Sequence, residues 1–406
     1  MKNGWKTAPL GDLCEFQRGL IYAKGDEVDV SANVVLRATN IDLMTNLLTF
    51  DELKYINDKV VVPDAKKVKK NSLMICTASG SKSHLGKVAF IDDDYGYAFG
   101  GFMGMITPKK GLLSRYLFHL MTSDAYKDFI GELSDGANIN NLKFDDLGRF
   151  QVPHPQLSKQ QRIVGILDAA LDGVATAKAK AEKNLQNARA LFESHLQNAF
   201  FRRSKGWVEK PLGALVTRLT NGYVGPIRNI YRESGIPYLL ARHVKNNQLV
   251  FDGRTFISDE FNRKHKKSML RAGDVLLVQS GHIGHSAVVT NEHEGHNCHA
   301  MIVITPVKDV VTGPFLSLYF NSSEMRQRFE EIRSGSTVPH LTCGAVRELK
   351  IALPGVSVQQ RLVEHSREIQ AETQLLENLY RQKLTALEDL KKSLLFHAFS
   401  GKLYRS

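Results

Sequence analysis

From Ile163 onward, apolar residues recur three and four positions apart, at Leu167, Ala170, Val174, Ala177, Ala181, Leu185, Ala188, Phe192 and Ala199. That spacing draws one stripe along an α-helix, and Ser158 with Gln161, placed as a capping box after Pro155, marks its start. A second stripe runs through Leu362, Ile369, Leu376, Leu379, Leu387, Leu390, Leu394 and Ala398, opening on Ser357 and Gln360 after Pro354. Neither run contains proline, so each predicts a helix of about 40 residues, roughly 60 Å long. Gly401 supplies a stop for the second. Stripes of this length are best buried against each other, in an antiparallel pair, with the alanines of the first permitting close approach.

Ahead of each helix the pattern is shorter and mixed. Val34–Leu36, Leu73–Cys76 and Lys87–Ile91 read as strands, as do Tyr238–Ala241, Asp274–Gln279 and Ala287–Thr290, with glycine-containing turns between them. Helices are expected over 113–130 and 315–332. These are α+β modules.

The chain also repeats itself. Gly4-Trp5 with Pro9-Leu10-Gly11 and Leu13 returns as Gly206-Trp207 with Pro211-Leu212-Gly213 and Leu215, an offset of 202 residues. Leu73-Met74-Ile75 leading to Ser79-Gly80 matches Val275-Leu276-Leu277 leading to Ser280-Gly281. Gly136 to Leu142 matches Gly335 to Leu341, Gln160-Gln161-Arg162-Ile163-Val164 matches Gln359-Gln360-Arg361-Leu362-Val363, and Ala199-Phe200 matches Ala398-Phe399, all at 199. A near-constant offset across six blocks means duplication. The order is module (1–155), helix (156–203), module (204–355), helix (356–401).

Charge adds a partner. The 406 residues carry a formal net charge of +12, with 27 basic against 23 acidic residues in 1–203 and 27 against 19 in 204–406, so both halves are basic. Clustered Lys and Arg gain affinity for phosphate by releasing counterions, which favours nucleic acid. Four scattered cysteines, Cys14, Cys76, Cys298 and Cys343, form no CxxC pair and read as reduced thiols. The polar start lacks a signal-peptide core and no run of about 18 apolar residues occurs, so no membrane span and a cytoplasmic location are expected.

Two loops per module offer chemistry for DNA. Ser79-Gly80-Ser81-Lys82-Ser83-His84 and Ser280-Gly281-His282-Ile283-Gly284-His285 follow buried strands, with small residues for close backbone approach and polar side chains for phosphates or base edges. Gly136-Ala137-Asn138-Ile139-Asn140-Asn141 and Gly335-Ser336-Thr337-Val338-Pro339-His340 end the modules, where Asn could pair with adenine and Thr or His with base edges. The polar residues differ between like frameworks, as at Arg37-Ala38-Thr39-Asn40 against Leu240-Ala241-Arg242-His243. That is what one job on two sequences would require. Candidate contacts are Arg37, Asn40, Ser81, Lys82, His84, Lys87, Asn138 and Asn140 in the first half. In the second they are Asn221, Arg228, Arg242, His243, Gln279, His282, His285, Thr337 and His340.

Catalytic patterns are missing. Gly80 to Lys87 is wrongly spaced for a nucleotide-binding phosphate loop, and neither a Rossmann glycine fingerprint nor the Asn-Pro-Pro or Asp-Pro-Pro element of adenine methyltransferases occurs. His282, His285, His293, His296 and His299 with Cys298 and Glu294 match no zinc spacing, although a metal-dependent hydrolase built on them is a competing reading. A coiled-coil scaffold that binds no DNA is another.

The Trp and Pro-Leu-Gly opening, the strand leading to Ser-Gly, the Gly-x-x-x-x-x-Leu loop, and the proline followed by Gln-Gln-Arg at a helix start resemble, in combination, the specificity (S) subunits of Type I restriction-modification systems. The resemblance covers nearly the whole chain. It implies two α/β target-recognition domains, each followed by a spacer helix, reading a bipartite, asymmetric site in double-stranded DNA. It implies a non-catalytic subunit without a cofactor of its own. Its partners would be two methyltransferase subunits using S-adenosylmethionine on adenine and nuclease/translocase subunits using ATP and Mg. A related system with methyltransferase and nuclease fused in one partner chain is the nearest alternative. Pro339-His340 fits the family loop better than Asn140-Asn141 does, so the first module's loop is expected to bind differently.

Overall fold

The structure, a computed structural model, describes residues 5–81, 84–135, 141–201, 206–245, 247–335 and 339–403. It divides into two compact units, Met1–Ala181 with Gln382–Ser406, and Glu182–Arg381.

In the first unit an antiparallel sheet runs in the order Cys14–Arg18, Met103–Pro108, Ser72–Cys76, Val88–Ile91. Its central strands are apolar at nearly every position because both faces are covered. Leu73, Ile75 and Ile106 pack on Tyr116 and Leu117 of the helix Ser114–Leu120. Met74, Cys76, Met103 and Met105 turn the other way and meet Leu36 and Phe99. This two-residue alternation is the strand's own geometry, and each fully buried side chain contributes about 1.5–3 kcal/mol. Leu36 and Phe99 belong to a smaller sheet of Glu27–Val28, Lys54–Ile56, Asn33–Leu36 and Ala98–Phe99, whose last pair is parallel.

The second unit repeats the plan. Its main sheet is Val216–Asn221, Met301–Pro306, Val275–Val278, Ser286–Val288, and its smaller sheet is Tyr231–Arg232, Phe256–Ile257, Ile236–Leu239, Asn297–Cys298, again with the last pair parallel. Val275, Leu277, Ile302 and Ile304 face Phe315, Leu316 and Tyr319, while Leu276, Val278, Met301 and Val303 face Leu239, Val244 and Cys298.

The segments 113–130 and 315–332 are each two helices, not one. Ser114–Leu120 and Asp124–Asp135 are separated by a turn in the first unit, as are Gly313–Phe320 and Ser323–Ile332 in the second. Hydroxyls explain the break: Thr122 Oγ1 donates to the His119 carbonyl, Ser123 Oγ to Leu120, and Ser322 Oγ to Tyr319, while Ser322 Oγ also accepts from Met325 N–H. Each hydroxyl takes over a helix-terminal group and starts a new axis.

The long helices run Leu157–Phe201 and Val356–Phe399. Each begins one residue before its expected capping serine, Ser158 or Ser357, and the side chain tying its first turn is Gln160 or Gln359. The two are antiparallel. In the first unit Ile163 and Leu167 share a core with Leu395 and Ala398, and Lys178 Nζ lies 3.9 Å from Glu388. In the second, Arg189 pairs with Glu377 at 3.3 Å, and His195 Nε2 lies 3.1 Å from Ser366 Oγ. Gly401 (φ 71°) closes the second helix, with Lys402 N–H bonded to the His397 carbonyl. The expected stripe on that helix is out of phase: Leu376, Leu379 and Leu390 are exposed, whereas Ser366 and Thr373 are buried. Small hydroxyl side chains occupy the close-contact line, bonding back to the Leu362 and Gln370 carbonyls, and displace the leucines outward. Among the described residues no helix is long and apolar enough to cross a membrane.

Candidate nucleic-acid interface

Strand register brings the two polar loops of each module together. In the first, Ser72–Cys76 leads into Thr77, whose carbonyl accepts from Leu142 N–H at 2.6 Å, and Ala78 forms a bridge with Asn141. In the second, the Gln279 carbonyl accepts from Leu341 N–H at 2.9 Å, and Ser280 forms a bridge with His340. His340 and Ser334 exchange two further backbone bonds, at 2.8 and 2.9 Å. The roots of these loops are thus held by main chain. Gly86 (φ 73°) and Gly284 (φ 87°) let the chain turn back, since a Cβ there would come within 2.8 Å of Ile130 or 2.6 Å of Phe329.

The candidate side chains fall into distinct classes. Lys82, Asn138, Asn140 and Thr337 lie outside the described residues. Ser81, Arg228 and His282 are exposed. Asn221, also exposed, accepts at Oδ1 from the Cys343 thiol, 3.1 Å away. His285 is half-buried, and burial, with help from Arg326 and His282, lowers its pKa from the usual imidazole value. His84 Nδ1, Lys87 Nζ, Arg37 Nε and Gln279 Oε1 are buried atoms without a hydrogen-bond partner among the described residues. An orphaned buried donor or acceptor is costly, so these four side chains have bonding capacity to offer. Burial holds the Lys87 ammonium down at about 8, partly offset by Asp42 and Cys76.

Asn40 and His243 are instead framework residues. Asn40 is fully buried; its Oδ1 accepts from Arg37 N–H at 2.8 Å and its Nδ2 donates to the Thr49 and Glu52 carbonyls. His243 closes the equivalent turn, its Nδ1 3.0 Å from Leu240 N, with Nε2 3.0 Å from Asp252. Arg242 is exposed and shares that carboxylate at 3.1 Å. The Arg242 and His243 bonds hold the Asp252 carboxyl well below the usual range.

Sequence reasoning passed over Arg18 and Lys143. Both are exposed; Arg18 lies over the Phe144 ring at 5.3 Å, and Lys143 follows the anchored Leu142. A strand alternation through Cys14–Arg18 would have been the only signal. The histidine-rich stretch is dispersed: His293 bonds Thr290 at 2.8 Å and His299 lies 3.5 Å from the Tyr238 hydroxyl. Among the described residues no group of three or more His, Cys, Asp or Glu side chains is placed to hold a metal ion.

The family model for the type I restriction modification DNA specificity domain matches twice, at residues 2–186 and 204–385. The chain is 26% identical to the type I restriction enzyme StySPI specificity subunit of Salmonella potsdam, over 99% of this chain and 90% of that one. It is 25% identical to the EcoKI specificity subunit of Escherichia coli K12, with the same coverage. Among solved structures, a chain from work on complex assembly and conformational transition of the type I R-M system superposes with TM-score 0.78 at 18% identity, over 98% of this chain and 99% of that one. The HsdS subunit of Thermoanaerobacter tengcongensis gives 0.59 at 17% identity, over 99% and 98%. At such identities the likeness is one of fold.

Proposed function

The chain belongs to the type I restriction modification DNA specificity family, with one family domain in each half, and from that premise we propose that it reads a bipartite, asymmetric duplex site, one half-site per module. The observation that carries this reading is the duplicated pair of loops. In each module a strand-end loop and a module-end loop are joined by backbone bonds, Thr77–Leu142 and Gln279–Leu341, on equal frameworks bearing different polar side chains. Equal scaffolds with unequal contact groups suit one docking mode on two base sequences, since phosphate contacts position and base-edge contacts specify. The candidate contacts are Arg37, Ser81, Lys82, His84, Lys87, Asn138 and Asn140 for the first half-site. For the second they are Asn221, Arg228, Arg242, Gln279, His282, His285, Thr337 and His340.

The subunit performs no chemistry in this reading. Two methyltransferase subunits carrying S-adenosylmethionine, and nuclease/translocase subunits using ATP and Mg, would dock on it in the cytoplasm. Leu375, Leu376 and Leu379, exposed on the second long helix, support docking of a further protein there, because contiguous exposed apolar groups mark interaction surfaces. The helix pair would set the gap between half-sites.

The test is single-molecule sequencing of DNA from cells carrying this chain with its neighbouring methyltransferase gene, mapping modified adenines with and without it. A bipartite motif present only with this chain is the expected result. Modification that is unchanged on its removal would refute the proposal.

A further inference from the structure

Phe102 is 74% exposed and Ile21 is 87% exposed. Ile21 lies beside Gly101, the residue before Phe102: a Cβ on Gly101 would lie 3.2 Å from Ile21 Cγ1. The Phe102 carbonyl accepts three hydrogen bonds, from Thr77 N–H at 2.9 Å, Thr77 Oγ1 at 2.9 Å and Ala78 N–H at 3.1 Å. Thr77 and Ala78 are the residues that anchor Leu142 and Asn141, so the ring is mounted on the root shared by both polar loops. Arg18, which pairs with Gly104, and Lys143, which follows Leu142, put exposed cations on the same rim.

The second module lacks this ring. Gly19 N–H bonds the Met103 carbonyl and Leu20 bridges Gly100; correspondingly, Gly222 N–H bonds the Met301 carbonyl and Tyr223 bridges His299. On that alignment Val224, 62% exposed, stands for Ile21, but Ala300 stands where Phe102 does.

We propose that Phe102 is an apolar wedge that packs into a partly opened base step of the first half-site, and that the second module reads its half-site without one. Apolar side chains inserted between base steps unstack them in exchange for added contact, and an aromatic face stacks on any base. Duplex DNA is the occupant that the flanking cations favour. The inference rests on the DNA-reading function proposed above.

The test uses the full chain assembled with its methyltransferase partner and a duplex carrying the mapped site, with 2-aminopurine placed in turn at each adenine of both half-sites. Apart from the adenines that the methyltransferase subunits turn out of the stack for modification, wild type should raise fluorescence at one step of the first half-site only. Phe102→Ser should abolish that rise and weaken binding about fivefold or more, the low end of base–aromatic stacking, with the salt slope unchanged because no phosphate contact is lost. Phe102→Tyr should restore both, and Val224→Ser should leave the first half-site signal intact. Equal affinity and fluorescence for Phe102→Ser would overturn the wedge while leaving the DNA-reading function standing. So would a defect confined to methyltransferase assembly, which would assign the ring to a protein contact. A wild-type complex with no preference for any duplex would overturn both.

Discussion

Gln160 and Gln359, 199 residues apart in the chain, make the same three hydrogen bonds. Gln160 donates from Nε2 to the Gly111 and Pro155 carbonyls and accepts at Oε1 from Leu113 N–H; Gln359 does so at Val310, Pro354 and Thr312. Both are completely buried. Each fastens a module's helical layer to the first turn of its long helix. Truncating either to alanine removes three bonds to buried or partly buried backbone groups, of which the Gly111 carbonyl keeps His154 Nε2 at 3.0 Å, and at about 1–3 kcal/mol for an unsatisfied buried group the expected loss is about 2–4 kcal/mol. Denaturant melts of the two single variants should lose similar stability, and a difference between them of more than about half would break the equivalence.

Asp274 is a second point of concentrated stability. It is fully buried, forms an ion pair with Arg218, and accepts from Thr305 Oγ1 at 2.6 Å and Arg271 N–H at 2.8 Å. Asp274→Ala leaves the largely buried Arg218 charge without its carboxylate, though still bonded to the Met269 carbonyl and Thr305 Oγ1, a loss toward the lower end of the about 3–5 kcal/mol for a broken buried pair. The double variant Arg218→Met/Asp274→Ala should recover much of that loss in thermal melts. A double variant as unstable as the single one would place the cost elsewhere in the Thr305–Arg271 network.

Lys87 gives a pH dependence with a definite sign. Its folded pKa, about 8, lies below the ordinary 10.5, so between those values the unfolded chain binds more protons and stability rises with pH. Below pH 8 both states are protonated and the full burial penalty is present. Lys87→Met should therefore raise the melting midpoint at pH 7 and remove the wild-type gain between about pH 8 and 10.5. A variant whose pH profile parallels wild type would show that the ammonium is solvated after all.

Asn40 and His243 do equivalent work, so they invite exchange. Burial lowers the His243 pKa more than Asp252 restores it; protonation of the unfolded imidazole below about pH 6.5 then draws stability away as the pH falls. His243→Asn should flatten that acid limb, at a cost of about 1 kcal/mol at neutral pH for the lost Asp252 bond. If base contact were its main role, the variant would instead change the second half-site, read by mapping modified adenines.

Exchanging residues 1–155 for another such module should change one half of the recognised motif, and removing one turn from each long helix should alter the gap or abolish assembly. Motif mapping reads both. A change in both half-sites, or an unchanged gap with full activity, would count against separate reading and the helical ruler respectively.

The long helices, the duplication and the Ser-Gly loops were legible because each leaves a periodic or repeated trace. Asn40 and His243 were misread because a polar residue in a loop looks alike whether its bonds go to solvent or to its own turn; only the 2.8 Å and 3.0 Å bonds back to Arg37 and Leu240 distinguish them. The phase of the second helix was missed for the converse reason. Ser366 and Thr373 take buried positions that a hydrophobic count assigns to leucine. The 113–130 and 315–332 segments hid their breaks in single hydroxyls, which carry no weight in a periodicity.

The loops of each module are fastened at their roots by main chain, Thr77 to Leu142 and Gln279 to Leu341. Amide and carbonyl groups are common to every residue type, so a replacement farther out along the loop leaves the fastening in place. Under the proposed function, heritable variation farther out in the loops would be nearly neutral for folding while changing which sites are recognised, so that such a protein would diverge in recognition faster than in architecture.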